Sequence, residues 1–396
     1  MKKKTLKDFD FSGKKALVRV DFNVPLKDGR VDDNTRIEAA VDTIDYLIRE
    51  KAKVILMSHL GRPGGEFTEE FRMDPVAEEL AEVLGKQVKK VDDCIGPEVE
   101  RAVSEMEDGD VLLLENTRFY PGEKENDPEF ARKLAAAADV FVNDAFGAAH
   151  RAHASTAGVA EYLPSVAGFL MQRELNSLGE AMENPEHPYA AIIGGAKISD
   201  KMSVIKNLLD KCDQLLLGGG IANTFLLAEG FEVGDSLVEA DKVDLAREIM
   251  QEAGKKGVEV VLPDDVVVAE DNIEGANHKV VDRSEVPEGW QILDIGGPRT
   301  IEKFSEIIKK ARTVTWNGPL GVFEIEEFAR GTNEIAKALA ESGAYKVVGG
   351  GESAAAIRLA GVEEEMSHVS TGGGASLTFF EGKPLPGVEA LDDLDG

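Results

Sequence analysis

Residues 332–353 read TNEIAKALAESGAYKVVGGGES, and this stretch decides the fold because a helix, a strand and a loop follow one another in it. Residues 332–341 carry apolar side chains at helical spacing. A short apolar run at 346–348 comes next, and three glycines follow it directly at 349–351. A short apolar run next to an amphipathic helix is typical of a strand buried in a parallel sheet.

The same alternation of apolar runs and amphipathic stretches extends along the whole chain. The other runs are rich in Val, Ile and Leu and lie at 16–20, 54–57, 111–114, 140–142, 190–193, 215–217, 258–262, 313–316 and, more weakly, 368–370. Further amphipathic stretches lie at 36–50, 75–84 and 128–138. We therefore predict an α/β fold whose parallel sheets are flanked by helices, doubly wound and Rossmann-like.

The length of the chain predicts two domains. It has 396 residues, whereas a single hydrophobic core stops growing at roughly 250 to 300 residues. Residues 172–182 have helical spacing and precede a proline-containing turn at 184–188. We expect this helix to connect two α/β halves, which share no repeated sequence. The segment 382–387 is rich in Pro and Gly, so we expect it to be extended.

Composition excludes several classes of protein. The 74 acidic and 45 basic residues give a formal net charge of -29, which argues against binding to nucleic acid or to an anionic membrane surface. The apolar runs are far shorter than the roughly 20 residues that cross a bilayer. Cys94 and Cys212 lack the paired spacing of a zinc or redox site, and no signal-peptide pattern is present, so we expect a cytoplasmic protein.

In the first half of the chain, polar and cationic residues follow the predicted strands. Ligands of open parallel sheets bind beyond the carboxyl ends of the strands. These positions hold Asp21, Asn23, Ser58, His59, Arg62, Glu115, Asn116, Arg118, Asn143, Asp144, His150, Arg151 and His153, with Arg36 at the start of a helix. Asp21 and Asn23 alone fit an Asx turn before Pro25 equally well, and each histidine alone fits a structural role. The convergence of arginines favours a pocket for a small, multiply charged anion.

In the second half, the predicted strands run into glycine. Glycine-rich loops follow at 194–201, 218–223, 349–353 and 371–376. Glycine lets backbone amides approach phosphate closely, and a helix that starts just after it adds a favourable dipole. We therefore predict nucleotide binding, although turns and close helix packing also select glycine. The chain lacks both the P-loop motif and the dinucleotide-binding Gly-x-Gly-x-x-Gly motif, so a dehydrogenase is disfavoured.

Eight ordered motifs carry a resemblance to a known family. They are VRVDFNVP (18–25), SHLGRP (58–63), ENTRF (115–119), NDAFG (143–147), HRAHAS (150–155), GAKISDK (195–201), WNGPLGVFE (316–324) and STGGGA (370–375). Over essentially its whole length, the chain resembles the phosphoglycerate kinase family. This family catalyses reversible phosphoryl transfer in glycolysis and gluconeogenesis.

The resemblance implies two binding sites. The first domain would bind 3-phosphoglycerate or 1,3-bisphosphoglycerate through Asp21, Asn23, Arg36, His59, Arg62, Arg118 and Arg151. The second would bind ATP or ADP with magnesium (Mg²⁺) through Lys197, Lys201, Asn317, Glu324, Gly349, Gly350, Gly351, Glu352 and Ser353. The implied domains are 1–171 with 379–396, a connecting hinge at 172–188, and 189–378. We expect a monomer.

The chain departs from the family pattern at two places. Glu352 stands where the family usually has the aspartate that helps to hold the metal–nucleotide, so it is our candidate metal ligand. Residues 292–298 read ILDIGGP, whereas the family pattern is Gly-Leu-Asp-Ile-Gly-Pro. This second departure affects the region that the family uses beside the adenine.

The chemistry of the implied reaction assigns catalytic roles. A carboxylate acceptor with a pKa near 4 is ionised at pH 7 and needs no general base. The protein must still hold two polyanions in line and neutralise the charge on the transferring group. We expect Arg36 and Lys201 on the transferring phosphoryl group, Lys197 on nucleotide phosphate, and the amides of Gly372, Gly373 and Gly374 as an anion hole. The alternatives are a non-catalytic phosphometabolite or nucleotide sensor and another kinase that forms an acyl phosphate.

Overall fold

The computed structural model describes residues 2–394. The chain divides into two compact units. One unit runs through Asn176 and resumes at Pro384, and the other spans Ser177–Lys383. The boundary between Asn176 and Ser177 falls inside a helix, Phe169–Glu183. Among the described residues, no helix is both long and apolar enough to span a membrane.

The first unit is built on a parallel sheet. Its strands and those of a small hairpin are β1 (Lys15–Arg19), β2 (Leu26–Lys27), β3 (Arg30–Val31), β4 (Lys53–Met57), β5 (Lys89–Lys90), β6 (Val111–Leu113), β7 (Val140–Asn143) and β8 (Ser165–Ala167). Its helices up to the boundary are α1 (Thr35–Glu38), α2 (Val41–Arg49), α3 (Asp74–Leu84), α4 (Pro97–Ser104), α5 (Pro121–Lys124), α6 (Pro128–Ala135) and α7 (Phe169–Glu183).

The order of strands in this sheet is β5-β6-β4-β1-β7-β8, and every neighbouring pair is parallel. In β1, Ala16, Leu17 and Val18 are all fully buried. Side chains alternate between the two faces of a strand, so consecutive buried residues mean that both faces of the sheet are covered. This is why the predicted strands read as continuous apolar runs.

The second unit repeats this architecture. Its strands are β9 (Tyr189–Ile193), β10 (Gln214–Leu217), β11 (Glu259–Val261), β12 (Asp265–Ala269), β13 (His278–Asp282), β14 (Gln291–Asp294), β15 (Thr313–Asn317), β16 (Tyr345–Gly349) and β17 (His368–Val369). Its helices after α7 are α8 (Met202–Leu208), α9 (Gly219–Glu229), α10 (Val243–Lys256), α11 (Pro298–Lys310), α12 (Arg330–Glu341), α13 (Gly351–Leu359) and α14 (Gly374–Phe380).

The main sheet of the second unit has the order β11-β10-β9-β15-β16-β17, again with parallel pairs throughout. Trp316 on β15 is fully buried in its core, and its indole Nε1 donates to the Gly318 carbonyl at 2.7 Å. The two parallel sheets flanked by helices confirm the predicted α/β fold class.

The structure differs from the sequence predictions in three local features. β12, β13 and β14 form a separate antiparallel sheet that is not among the predicted strands, although β12 carries a buried apolar run. The predicted helix 36–50 is divided into α1 and α2. In the C-terminal segment, Leu385 is extended as expected, but the short helix α15 (Pro386–Glu389) follows. Proline is well tolerated in the first turn of a helix, which explains this last error.

The C-terminal segment belongs to the first unit. Gly387 N donates to the Ala149 carbonyl at 2.8 Å, and Asn143 Nδ2 donates to the Gly387 carbonyl at 3.0 Å. Further along, Lys4 N donates to the Asp392 carbonyl at 2.9 Å. The last described residues are therefore bonded both to the end of β7 and to the beginning of the chain.

Candidate functional sites in the two units

A cluster of cationic side chains lies at the carboxyl ends of the strands in the first unit. Arg36 on α1 is held by Asp21, because its Nη1 donates to both carboxylate oxygens at 3.2 Å. The same Nη1 donates to the Asn23 carbonyl at 3.1 Å. Asn23 Oδ1 in turn accepts the Gly61 N–H at 2.8 Å. Asp21 and Asn23 thus position Arg36 and the loop after β4.

Arg118 is positioned by Asn116, which lies two residues before it in the sequence. Asn116 Oδ1 accepts the N–H groups of Leu60 and Arg118, both at 3.1 Å, and its Nδ2 donates to the Leu60 carbonyl at 2.7 Å. The Arg118 Nη1 donates to the Gly61 carbonyl at 2.7 Å. Arg118 is only 8% exposed, and its buried Nε has no hydrogen-bond partner among the described residues. The fixed guanidinium therefore keeps unused donor capacity.

Electrostatics confirm that like charges are gathered here. Burial, followed by repulsion from Arg151 and Arg19, lowers the pKa of Arg118 to about 10. Burial, with added repulsion from Arg118, lowers the pKa of His153 to about 4. Burial and neighbouring arginines also hold the pKa of His59 well below its usual value. A cluster of cations in a protein with a net charge of -29 is suited to bind an anion.

The other predicted residues of the first unit fall into two groups. Arg62 and Arg151 are exposed beside the cluster, and Arg151 acts on it through its charge. Glu115 does not brace Arg118; its Oε2 lies 2.6 Å from Lys90 Nζ, and its Oε1 accepts the Met73 N–H at 2.9 Å. Glu115 thus supports the loop before α3 rather than the cationic cluster.

In the second unit, Asn317 organises a cavity of about 270 Å³. Asn317 Oδ1 accepts a hydrogen bond from Lys201 Nζ, and its Nδ2 donates to the Gly349 carbonyl at 2.7 Å. Ser353 Oγ accepts the Gly318 N–H at 2.6 Å. The cavity is lined by Lys201, Asn317, Gly318, Gly350, Gly351, Glu352, Ser353, Gly373, Gly374 and Leu377.

Lys201 is the cation of this cavity. Its burial lowers the pKa of the ammonium group, while the charge of Glu352 opposes that shift. Gly351 and Gly373, at the starts of α13 and α14, have open space where a side chain would project. One half-buried ammonium group, two helix starts and open glycines make a site at which backbone amides can meet phosphate oxygens.

A second cavity of about 210 Å³ adjoins the glycine loops after β9 and β10. Its walls are mainly apolar and include Leu237, Val266, the segment 291–295, Pro319–Val322 and Glu324. Glu352 lines this cavity and the cavity around Lys201. The two cavities therefore meet at Glu352, and together they suit a ligand with an apolar ring at one end and phosphates at the other.

Some residues that line this second cavity are not recovered from the sequence. Leu237 and Asn272 contribute to the wall but follow no predicted strand. Ile292 also lines it, and the only signal was the departure from the family pattern at 292–298. Ligand pockets are lined mainly by apolar side chains, so this cavity has few of the charged residues that make the other site visible in a sequence.

The predicted residues of the second unit occupy different positions. Lys197 is exposed and lines neither cavity, whereas Glu324 lines the second one. A Cβ atom on Gly349 would lie 2.2 Å from the Phe380 ring, so Gly349 is required by packing. Gly372 N donates to Ser370 Oγ at 3.1 Å, so in this structure that amide is engaged within its own loop.

The fit of magnesium depends on the donors available. Among residues 2–394, no group of three or more His, Cys, Asp or Glu side chains could hold a metal ion. Magnesium commonly takes only one or two protein carboxylates and completes its shell with phosphate oxygens and water. Glu352, at the junction of the two cavities, is one such carboxylate. The residues present therefore fit magnesium that arrives with a nucleotide.

Comparisons with known proteins agree with this geometry. Two relatives named phosphoglycerate kinase, from Moorella thermoacetica and Pelotomaculum thermopropionicum, are 59% and 58% identical over 393 residues, or 99% of this chain and 100% of each relative. The solved structure of phosphoglycerate kinase from Coxiella burnetii matches with a TM-score of 0.92 at 43% identity. That from Pyrococcus horikoshii matches with a TM-score of 0.83 at 37% identity, and each alignment covers 98% of both chains.

The family model agrees with the pairwise matches. The model described as phosphoglycerate kinase matches residues 6–383, which includes both sites. The matched segment extends from the first turn of the chain to the end of the second unit. A match of this length and these levels of identity leave one conclusion. The chain belongs to the phosphoglycerate kinase family.

Proposed function

We propose that this chain transfers a phosphoryl group reversibly between ATP and the carboxylate of 3-phosphoglycerate. The observation that carries this proposal is the gathering of Arg36 and Arg118, with the His59 imidazole beside them, in a strongly acidic protein. A substrate that carries both a carboxylate and a phosphate suits several guanidinium groups, each of which can bind bidentately. Asp21, Asn23, Arg62 and Arg151 complete the proposed triose site.

The acceptor carboxylate is already an anion, so no residue needs to remove a proton from it. The residues of this chain therefore act by position and charge. Arg36, held against Asp21, and Lys201, held against Asn317, are proposed to stabilise the transferring group. Lys197 is proposed to contact nucleotide phosphate, and the amides at 372–374 to contribute an anion hole, with Gly373 and Gly374 lining the cavity.

Magnesium is proposed as the cofactor, and Glu352 would hold it. When bound, it neutralises charge on the nucleotide phosphates. Around it, Asn317, Glu324, Gly349, Gly350, Gly351 and Ser353 would bind or shape the nucleotide site. Support for this assignment comes from the position of Glu352 at the meeting point of the two cavities.

The two sites lie on separate units. We therefore propose that transfer requires a hinge movement in the connecting segment 172–188, between a domain of 1–171 with 379–396 and a domain of 189–378. Making the chemistry conditional on both substrates protects ATP from hydrolysis. We also propose that the protein is cytoplasmic, which is consistent with two buried cysteines that form no disulfide. We further propose that it is a monomer, which light scattering would test.

A coupled assay tests the proposed reaction. Added glyceraldehyde-3-phosphate dehydrogenase would consume NADH as 1,3-bisphosphoglycerate forms from 3-phosphoglycerate, ATP and magnesium. Turnover is expected to require both substrates and to fall about a hundredfold or more in Lys201→Ala. Lys255→Ala, on the exposed side of α10, is the matched control.

The same experiment separates the alternatives. Binding of both ligands by calorimetry without any turnover would favour a sensor. Turnover with a smaller acid in place of 3-phosphoglycerate would favour another acyl-phosphate kinase. The identity of 58–59% to relatives named phosphoglycerate kinase argues against the sensor.

A further inference from the structure

A fully buried arginine lies beneath the cationic cluster. Arg19, the last residue of β1, is only 1% exposed. Its Nε donates to Ser155 Oγ at 2.8 Å, its Nη1 donates to the Val20 carbonyl, and its Nη2 lies 2.8 Å from Nδ1 of His59. Arg19 thus joins the proposed triose site to the layer behind it.

The contact between Arg19 and His59 fixes the position of a proton. A guanidinium group has only donors and does not lose its proton in proteins. The Nδ1 of His59 must therefore accept the hydrogen bond at 2.8 Å and carry no hydrogen. In a neutral imidazole one nitrogen is a donor and the other an acceptor. The ring proton of His59 then resides on Nε2.

Behind Arg19, a carboxylate fixes the next hydrogen bond. Glu123 on α5 is fully buried, and its Oε1 and Oε2 accept the Ser155 hydroxyl at 2.5 Å and the Ser155 N–H at 2.9 Å. Since a carboxylate only accepts, the Ser155 hydroxyl donates to Glu123, and its lone pair is left to accept from Arg19. The hydrogen bonds that link Glu123, Ser155, Arg19 and His59 therefore each have a fixed donor and a fixed acceptor.

This chain also balances charge. A buried cation is costly without a compensating anion. Glu123 lies on the far side of Ser155, and its charge opposes the fall in the pKa of Arg19 that burial causes. Arg19 can therefore stay charged at full burial.

We propose that Glu123, Ser155 and Arg19 are positioning residues that hold His59 as the neutral Nε2–H tautomer, a fixed hydrogen-bond donor to the acidic substrate. This inference rests on the proposed function only for the identity of the substrate. The orientation and protonation of His59 follow from the contacts alone.

The surroundings of His59 favour the same state. Burial lowers the pKa of His59, and repulsion from Arg19, Arg118, Arg151 and Arg36 lowers it further. Protonation would add a further positive charge to four guanidinium groups. A neutral donor strengthens the anion site by a hydrogen bond without adding that repulsion, and it remains a donor when the pH falls.

Nitrogen NMR of the full-length chain without ligand tests the tautomer. Long-range proton–nitrogen correlations distinguish protonated from unprotonated ring nitrogens in the six histidines, and His59→Gln assigns the resonances of His59. We expect an unprotonated Nδ1 and a protonated Nε2 throughout pH 5.5 to 8.5. A proton on Nδ1, or titration of the ring near pH 6.5, would overturn the proposal.

Two variants test the positioning chain. Arg19→Met is expected to make His59 titrate or exchange tautomers, and an unchanged spectrum would overturn the role of Arg19. If that variant does not fold, the spectrum of the unmodified chain remains decisive. Ser155→Ala is expected to raise KM for 3-phosphoglycerate about fivefold, with KM for ATP unchanged. An unchanged KM for 3-phosphoglycerate would remove Ser155 and Glu123 from the chain.

These outcomes are separable from a failure of the proposed function. The tautomer is measured on the free protein, so it holds or fails whether or not the chain turns over 3-phosphoglycerate. Arg49→Met, on the solvent-exposed end of α2, is the control and should leave the His59 resonances and both KM values unchanged.

Discussion

The first unit recognises its anion with charged side chains, whereas the second relies largely on backbone. In the first, Arg36 and Arg118 are each tied to a neighbour by hydrogen bonds of 2.7–3.2 Å. In the second, one half-buried lysine lies among glycines and the starts of α13 and α14. The same α/β architecture therefore carries two different solutions to anion binding.

The difference shows which supporting interactions each kind of anion site requires. Clustered guanidinium groups repel one another, so the first unit needs supporting groups: Asn116 and Asp21 hold Arg118 and Arg36 by hydrogen bonds. The charges of Glu123 and Asp21 also oppose the repulsion at Arg118. Backbone amides need loops that approach one another closely. In the second unit, a Cβ on Gly194 would lie 2.0 Å from the Pro319 carbonyl oxygen, so glycine there serves packing between the loops after β9 and β15 before it serves any ligand.

The largest test of this comparison removes a charge from the first site. Arg36→Ala is expected to lower kcat about a hundredfold to a thousandfold, because the contact should strengthen in the transition state. Steady-state kinetics with both substrates varied would measure it, with Arg49→Ala as the control. A rise in KM alone, with kcat intact, would show that Arg36 only binds the substrate.

The double variant Arg36→Ala/Asp21→Asn refines this measurement. Arg36→Ala leaves the Asp21 carboxylate unpaired in an anion site, since the two groups lie 3.2 Å apart. The second substitution, Asp21→Asn, removes the repulsion between this carboxylate and the anionic substrate. We expect the double variant to recover affinity for 3-phosphoglycerate but not kcat.

A smaller effect is expected from disturbing the backbone of the second site. Asn317→Ala removes the acceptor of Lys201 Nζ and the donor to the Gly349 carbonyl. Losing these buried bonds should raise KM for ATP roughly thirtyfold, and KM for 3-phosphoglycerate should stay within twofold. Calorimetry with ADP provides the direct measurement. Equal losses for both substrates would contradict two independently built sites.

The smallest effect concerns a feature that both units share. Each buries a carboxyl group just beyond or at the end of a strand, Asp144 in the first unit and Asp294 in the second. Burial raises their pKa values to about 7 and about 8. In each, one carboxyl oxygen has no hydrogen-bond partner among the described residues. Near neutral pH, each of these two carboxyl groups therefore holds a proton in the folded state that it has already released in the unfolded state.

Stability should fall as the pH rises from 6 to 8, because only the folded state must then give up these protons. For Asp294 the loss is about 2 kcal/mol in the free energy of unfolding over that range. Asp294→Asn is expected to remove that part of the slope, and Asp144→Asn a smaller part. Urea unfolding at pH 6 and pH 8, followed for each unit, checks it. A slope unchanged in both variants would place the titrating groups elsewhere.

The parallel sheets could be predicted because burial on both faces leaves a continuous apolar run. β13 escaped prediction because its residues 278–280 are exposed and its pattern is mixed. The strands β5 and β8 are short and carry too few apolar residues to stand out. Similarly, the division between α1 and α2 is set by local turns at Ala39 and Ala40 that the helical spacing does not register.

For the sites, the positions of the charged residues could be predicted, whereas the buried support from Arg19, Ser155 and Glu123 could not. Arg36, Arg118 and Lys201 follow strands or open helices, so the topology predicted where they lie. The role of Arg19 depends on a contact across 40 positions of sequence with His59, which no local pattern encodes. The glycine pattern could not distinguish packing from ligand binding, since Gly194 serves packing whereas Gly373 has open space beside it.

The pairing of the chain's ends has a consequence for synthesis on the ribosome. The first unit includes residues up to Asn176 and also the segment from Pro384 onward, so the whole of the second unit is translated between its two parts. Its bonds between Gly387 and Ala149, and between Asp392 and Lys4, cannot form until residues 387–392 have been translated. All residues of the second unit, Ser177–Lys383, are translated before that point. The unit whose translation starts first is therefore the last to have all of its bonding partners available.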